Sequence, residues 1–152
     1  MRFTFRTLEA ADVDALLTWH YEPPYDKYDP DRDDVEELRA AVGSTDWFAA
    51  LDADAEVLAG FLVVRPVDGG VEIGFGLRPD LTGAGHGVGF VTAILDLVRE
   101  RWAPSEVWLD VLPWNERAAV VYQRAGFVRG EVYDRHFPDG AVVTFLRMTL
   151  AD

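Results

Sequence analysis

The stretch "LTGAGHGVGF" at residues 81–90 carries a glycine at every second position from 83 to 89. It follows an alternating, strand-like run and precedes a segment in which Phe90, Ile94 and Val98 recur at helical spacing. The first N–H groups of a helix have no acceptor within the helix, and glycine lets a ligand approach the backbone closely. The stretch therefore predicts an anion site between a strand and a helix, with phosphate as its natural ligand.

Two common nucleotide-binding motifs do not fit this spacing. The P-loop requires G-x-x-x-x-G-K-[ST], and this loop contains no lysine; the dinucleotide fingerprint requires G-x-G-x-x-G, whereas these glycines alternate strictly. What remains is x-x-x-G-x-G at residues 82–87, followed further along the chain by "NERAAVVYQRAGF" at residues 115–127.

Hydrophobic periodicity and turn signals predict the element order β α α β β β α β α β β. The three strands in the middle of the chain read as an antiparallel meander. No repeat or interdomain linker is visible, so we predict a single domain over residues 1–152. The predicted segments are strand 2–7, helices 10–20 and 33–42, three strands within 46–77, helix 90–102, strand 106–111, helix 115–125 and two strands flanking 138–140.

Composition narrows the classes of function. The chain has no cysteine, which excludes a thiol nucleophile and a thiolate zinc site, and neither a serine hydrolase motif nor H-E-x-x-H occurs; we expect no metal. The formal charge of −13 opposes binding to nucleic acid and suits a cationic partner, although acidity that serves only solubility fits equally well. The first residues lack the apolar core of a signal peptide and no apolar run has membrane-spanning length, so we expect a cytoplasmic protein without membrane contact.

With its glycine loop and its second motif, the chain resembles the GNAT family of acyl-CoA-dependent N-acetyltransferases. In that family a Gln/Arg-x-x-Gly-x-Gly/Ala loop holds the pyrophosphate of coenzyme A, and an Asn-x-x-Ala-x-x-x-Tyr-x-x-x-Gly-Phe helix follows the next strand. The resemblance implies a mixed α/β (α+β) fold, with one central mixed sheet flanked by about four helices, and acetyl-CoA as the acyl donor. One position departs from the pattern, because Thr82 stands where the family has Gln or Arg.

The resemblance also implies which residues contact the donor. Main-chain groups at the end of the fourth strand would pair with the pantetheine arm, and the loop would hold the pyrophosphate. On the same strand, glycines at 74 and 76 alternate with apolar residues and leave one face bare, as an extended ligand would require. Asn115 either contacts the cofactor or only caps the fourth helix. The matching positions are Phe75, Gly76 and Leu77 on the strand, Thr82, Gly83, Gly85, His86, Gly87 and Val88 in the loop, and Asn115 and Tyr122 on the helix.

Two residues are candidates for proton transfer. Tyr122 matches the family's usual general acid, and a phenol that ionises at about pH 10 can protonate a departing thiolate; the alternative is a core tyrosine. Glu72 shares the bare strand face with Gly74 and Gly76, so it is our candidate base for the amine, with Asp110 in reserve. The alternative for Glu72 is an exposed strand carboxylate or an ion pair with a neighbouring strand.

The segment "HYEPPYDKYDPDRDD" at residues 20–34 is the best candidate for the acceptor site. It lies between the first two helices, where the family walls its acceptor, and its aromatic and acidic side chains attract ammonium groups. A plain solvated loop fits the same composition. The predicted acceptor-binding residues are Tyr21, Glu22, Tyr25 and Tyr28.

The sequence thus predicts an acetyl-CoA-dependent N-acetyltransferase that acts on a primary amine of a small molecule or peptide, by direct transfer in a ternary complex. We expect it to be a monomer or a homodimer. Two alternatives stay open at this point: a coenzyme A-binding module without catalysis, and an unrelated nucleotide-binding domain.

Overall fold

The computed structural model describes residues 1–151, except for the side chains at positions 32 and 33. The strands and helices follow one another in the predicted order. The strands are β1 Phe3–Thr7, β2 Trp47–Asp52, β3 Leu58–Val67, β4 Gly70–Leu77, β5 Val107–Val111, β6 Phe127–His136 and β7 Val142–Leu150. The helices are α1 Ala10–Leu16, α2 Arg32–Ala41, α3 Gly87–Trp102 and α4 Glu116–Arg124, with short 3₁₀ turns at Tyr25–Tyr28 and Pro79–Leu81.

Across residues 1–151 the strands form one seven-stranded sheet in the order β1-β2-β3-β4-β5-β7-β6. The pairs β1/β2, β2/β3, β5/β7 and β6/β7 are antiparallel, and β4/β5 is parallel with Glu72 opposite Trp108. Between β3 and β4, Asp68 and Gly69 both have positive φ, which is the conformation of a type I′ hairpin turn. The predicted mixed α/β fold with one mixed sheet and four helices is confirmed.

The chain divides into two compact units. The first comprises residues 1–63 and 75–93, and the second comprises residues 64–74 and 94 onward. The single domain over residues 1–152 stays a prediction, and its last residue lies outside the described part of the chain. No helix within residues 1–151 is long and apolar enough to cross a membrane.

The first unit packs α1 and α2 on the sheet around one apolar cluster. Helix α1 begins where Asp12 accepts a hydrogen bond from the Glu9 N–H (2.8 Å) and pairs with Arg6 (2.6 Å). The helix predicted over 10–20 ends at Leu16; beyond it His20 is exposed and Trp19 packs into the core. The cluster consists of Leu8, Val13, Leu16, Trp19, Leu38, Ala41 and Ala49.

In the second unit, β5 and β7 have one apolar face and one polar face. Alternate residues of these strands are buried, and the C-terminal part of α3 adds Ile94 and Val98, both fully buried. The opposite face carries Trp108 and Asp110 on β5 and Arg147 on β7, because successive side chains of a strand point to opposite sides. This second face holds the charged groups described below. The apolar face consists of Val107, Leu109, Val111, Leu146 and Met148.

Candidate active site

The glycine loop connects the Pro79–Leu81 turn to the first residue of α3. Gly83 and Gly85 have φ of +70° and +86°, a conformation that favours glycine, so both positions need this residue for backbone reasons. The His86 carbonyl accepts the Phe90 N–H at 3.0 Å, which makes His86 the residue at which the helix begins. The N–H groups of Gly87, Val88 and Gly89 precede that hydrogen bond and have no acceptor within the helix.

Space is open around this loop. Apart from its chain neighbours and the local backbone of α3, a Cβ placed on Gly85 or on Gly89 meets no described atom within 4 Å. Of these two glycines only Gly85 has a positive φ. Neither backbone strain nor packing against neighbouring residues therefore explains why residue 89 is a glycine. A strand, a glycine turn and a helix N-terminus with open space above it can hold a phosphate group.

Both hydrogen-bond donors of Thr82 are engaged within the protein. Its hydroxyl donates to the Pro79 carbonyl at 2.7 Å, and its N–H donates to the same carbonyl at 3.2 Å. Thr82 therefore closes the preceding turn with both of its donors, and its contact with the acyl donor stays a prediction. The residues after it carry N–H groups that can hold an anion.

Packing within the protein, and not only contact with a ligand, explains a glycine on β4. A Cβ on Gly76 would lie 2.6 Å from the ring of Phe61, on the neighbouring strand β3, and a Cβ on Gly60 would lie 2.6 Å from the Gly76 carbonyl. Gly76 is thus required by a side chain of the protein itself. The bare strand face predicted from sequence is covered by Phe61 at this position. Pantetheine contacts at Phe75–Leu77 stay a prediction, and they would be made by the main chain.

Polar contacts hold the predicted acceptor segment in place at two points. Asp29 accepts the Tyr21 N–H at 2.7 Å and lies 3.2 Å from Nδ1 of His20. The Tyr21 hydroxyl donates to the Leu77 carbonyl at 2.6 Å, at the end of β4. Burial, and then the negative charge of Asp29, raise the pKa of Tyr21 well above its ordinary value. Between these points, Glu22 and Tyr28 are exposed and Tyr25 is half-buried.

In the second unit, α4 begins and ends as its sequence predicts. The Asn115 side chain is buried and accepts the Ala118 N–H at 3.2 Å, so its role as a helix cap is confirmed. Gly126 follows the helix with a φ of +109°. Tyr122 is half-buried and its ring meets that of Phe127 at 6.5 Å in an edge-to-face arrangement. Contact of Asn115 or Tyr122 with a cofactor stays a prediction.

Glu72 lies in a buried ion-pair network, which sequence reasoning gave only as its alternative. Its side chain is 5% exposed and accepts two hydrogen bonds from Arg135 on β6, at 2.6 and 3.3 Å. Arg65 on β3 lies 3.7 Å from the same carboxylate. Arg135 also donates to Asp110 at 3.1 Å. One guanidinium therefore joins the two carboxylates that we considered as bases.

Aromatic side chains complete this network. The Arg147 guanidinium lies over the Trp108 ring at 3.8 Å and over the Tyr133 ring at 4.8 Å, and it donates to the Tyr133 hydroxyl at 2.9 Å. The Tyr133 hydroxyl donates in turn to Asp110. Sequence reasoning missed Arg135, Tyr133 and Arg147. The one local signal for them is the alternation of Tyr133 and Arg135 on β6, which places both on one face of the strand.

The predicted site residues thus fall into two groups. The first unit contains the glycine loop, Phe75–Leu77 and the acceptor segment, and it joins Tyr21 to Leu77 directly. The second unit contains Glu72, Asn115 and Tyr122, and it joins Glu72 to Asp110 through Arg135.

Structural comparison places this fold among known acetyltransferases. An acetyltransferase (GNAT family) from Bacillus anthracis has a TM-score of 0.79 at 17% identity, over 99% of this chain and 95% of that one. AAC(6')-Ib in complex with ribostamycin and coenzyme A has a TM-score of 0.76 at 20% identity, over 99% and 94%. Spermidine N-acetyltransferase from Vibrio cholerae in complex with CoA and spermine has a TM-score of 0.70 at 21% identity, over 98% and 95%.

Sequence comparison identifies the family. Residues 2–128, which include both the glycine loop and the motif on α4, match the family described as "Acetyltransferase (GNAT) domain". No curated protein sequence matches the chain. The match covers far more than half of the 152 residues, and the fold agrees with it. The chain therefore belongs to the GNAT family of acetyltransferases and is an acyltransferase enzyme.

Proposed function

We propose that this enzyme transfers the acetyl group of acetyl-CoA to a cationic primary amine, by direct transfer while both substrates are bound. The observation that carries the proposal is the glycine loop. Two left-handed glycines lead into the first turn of α3, and the space beside Gly85 and Gly89 is open, in a chain that belongs to an acetyltransferase family.

Donor binding is assigned mainly to the backbone. The N–H groups from Gly83 to Val88, with the positive end of the α3 dipole, would hold the pyrophosphate of coenzyme A. Main-chain groups of Phe75–Leu77 would pair with the pantetheine amides. Because Thr82 is engaged with the Pro79 carbonyl, it positions the loop and adds no donor of its own.

The chemistry needs an amine without its proton and a proton for the leaving sulfur. When the amine nitrogen bonds to the thioester carbon, the carbon–sulfur bond breaks and a thiolate leaves. We assign Tyr122 as the proton donor to that thiolate, because a phenol keeps its proton at neutral pH and the residue stands at the matching position of the family motif. Its ring packs edge-to-face against that of Phe127, and the proposed chemistry uses only its hydroxyl.

A lysine-like amine, with a pKa of about 10.4, must lose a proton before it attacks. We assign this proton to Glu72, directly or through a chain of water molecules. The hydrogen bonds from Arg135 engage both of its oxygens, but each carboxylate oxygen has two lone pairs and can accept again. The same contacts would also serve a purely structural ion pair. These two roles predict different pH profiles for the Glu72→Gln variant.

A cationic acceptor is supported by charge and by the fold's relatives. The chain carries 27 acidic against 14 basic residues. Two of the structural neighbours were solved with spermine or with ribostamycin, both of which carry several amino groups. We assign the acceptor to the segment that contains Tyr21, Glu22, Tyr25 and Tyr28.

The test is an amine panel assayed for release of free thiol from acetyl-CoA. The chain has no cysteine, so every thiol comes from the donor. We expect polyamines or aminoglycosides to stimulate release and amines that carry a carboxylate to stimulate it less. In parallel, acetyl-CoA should raise the melting temperature more than ATP or NAD, because a ligand that binds only the folded state stabilises it. Release that no amine stimulates, or stabilisation by all three nucleotides alike, would contradict the proposal.

A further inference from the structure

The segment between α1 and α2 is closed into a loop by a single carboxylate. One oxygen of Asp29 accepts the Tyr21 N–H at 2.7 Å, and the other lies 3.2 Å from Nδ1 of His20. The Asp29 N–H donates to the Asp26 carbonyl at 3.1 Å, which ends the 3₁₀ turn. Asp29 therefore brings the two ends of residues 20–29 together. Residues 22–28, which we call the acceptor loop, lie between these contacts.

A second contact ties this closed loop to the sheet. The Tyr21 hydroxyl donates to the Leu77 carbonyl at 2.6 Å, across 56 positions of sequence. Leu77 is the last residue of β4, and the next residue is itself fixed, because the Arg78 N–H donates to the Ala59 carbonyl at 2.8 Å. The Arg78 guanidinium also donates to the Leu58 carbonyl at 2.7 Å. The loop is thus hydrogen-bonded to a strand end that is itself hydrogen-bonded to β3.

The Tyr21 hydroxyl stays protonated and so remains a hydrogen-bond donor. Burial and the charge of Asp29 raise the pKa of Tyr21, so the phenol keeps its proton at the pH of any ordinary assay. If the half-buried Tyr21 hydroxyl lost its acceptor, the unmade hydrogen bond would also lower the stability of the folded state. Leu77 is at the same time one of the residues whose main chain we assign to the donor. One hydrogen bond therefore connects the acceptor loop to the strand end proposed to hold the acyl donor.

We propose that Tyr21 and Asp29 form a latch that holds the acceptor loop on the end of β4 and thereby sets the affinity for the amine. The proposal rests on the proposed function in one respect, the assignment of this loop to the acceptor. Tyr21 and Asp29 are positioning residues. They act through the loop and through Leu77, and no proton transfer is assigned to them.

The closure of the latch can be measured without any enzyme assay. Lys27, in the middle of the acceptor loop, is the only lysine of the chain, so a lysine-specific protease has one cleavage site. Cleavage requires that the loop open, and its rate follows the open fraction when opening is fast. Loss of one hydrogen bond, worth about 0.5–1.5 kcal/mol, raises that fraction by about two- to tenfold.

We therefore expect Tyr21→Phe and Asp29→Ala to speed cleavage at Lys27 by about two- to tenfold. Tyr21→Phe keeps the ring, so the variant should fold. Asp29→Asn keeps one oxygen for the Tyr21 N–H and should fall between wild type and Asp29→Ala. Asp54→Asn, the same change on the exposed β2–β3 turn, is the control and should leave the rate unchanged. Equal cleavage rates in wild type and Tyr21→Phe would overturn the latch.

Kinetics separate positioning from a general structural role. Once an acceptor is known, Tyr21→Phe should raise the KM for the amine by a similar factor, with kcat and the KM for acetyl-CoA within about twofold of wild type. An unchanged amine KM, or a fall in kcat alone, would overturn the proposal. Wild-type enzyme that acetylates no amine would instead contradict the proposed function, and the protease experiment would still decide whether the latch exists.

Discussion

Replacing Arg135 with alanine tests the charged network of the second unit. The guanidinium makes three hydrogen bonds to two carboxylates, Glu72 and Asp110, whose side chains are only 5% and 6% exposed. Removing one partner of a fully buried ion pair costs about 3–5 kcal/mol, because an uncompensated charge stays behind.

Two features of this network reduce the expected loss of stability. Arg135 is itself 33% exposed, and Arg65 and Arg147 remain 3.7 Å from the two carboxylates. We therefore expect Arg135→Ala to lower the free energy of unfolding by about 2–3 kcal/mol. At this chain length that corresponds to a fall in melting temperature of roughly 4–12 °C.

The assay is urea unfolding of a double-mutant cycle with Glu72→Gln. If the pair interacts as the structure shows, the double variant should lose less stability than the sum of the single variants, by about 1 kcal/mol or more. Arg129→Ala is the matched control, because Arg129 lies on the same strand but pairs with the exposed Glu116, and it should stay close to wild type. Additive losses, or an Arg135 variant no less stable than the Arg129 control, would show that this ion pair does not stabilise the fold.

Four further variants test the glycine loop, the two candidate catalytic residues and the raised pKa of Tyr21. Gly89→Val should lower the affinity for coenzyme A at least about tenfold while changing stability by less than about 0.5 kcal/mol, because its Cβ fills open space and needs no unusual φ; calorimetric titration would measure the affinity, and urea unfolding would measure the stability. Tyr122→Phe should reduce kcat by about two to four orders of magnitude with acetyl-CoA binding unchanged, and a donor with a more acidic thiol should recover part of the rate. Glu72→Gln should impair turnover most at neutral pH and least at high pH, where the amine deprotonates unaided. An equal loss at every pH would mean that Glu72 is not the base and serves only in the ion pair. Because the folded-state pKa of Tyr21 is raised, stability that it contributes should be lost as pH rises above its unfolded value of about 10, and Tyr21→Phe should flatten this decline in alkaline unfolding curves.

Local features were predictable from sequence. Phe90, Ile94 and Val98 recur at helical spacing and all three are buried, at 1%, 0% and 0% exposure. Asn115 caps α4 and Gly126 ends it with positive φ, because each motif acts through its own neighbours in the chain. The element order follows from the same local rules.

Contacts between distant residues were not predictable. Arg135 on β6 reaches Glu72 on β4 across 63 positions of sequence. The two strands are not neighbours in the sheet, and no local pattern encodes either the strand order or this contact. Gly76 has the sequence signature of a ligand-facing strand, but the residue that needs its missing side chain is Phe61. Thr82 likewise has donors in the right place in sequence, and a carbonyl three residues earlier accepts both.

Direct acetyl transfer to an amine is tested by a time course of thiol release from acetyl-CoA, started with and without amine, in which the amine product is identified by mass. Direct transfer predicts no release before the amine is added, then one acetylated amine for each thiol, with the mass of the protein chain unchanged throughout. A burst of thiol without amine, accompanied by an acetyl group on the chain, would contradict direct transfer. Thiol release without any acetylated amine would contradict the N-acetyltransferase itself.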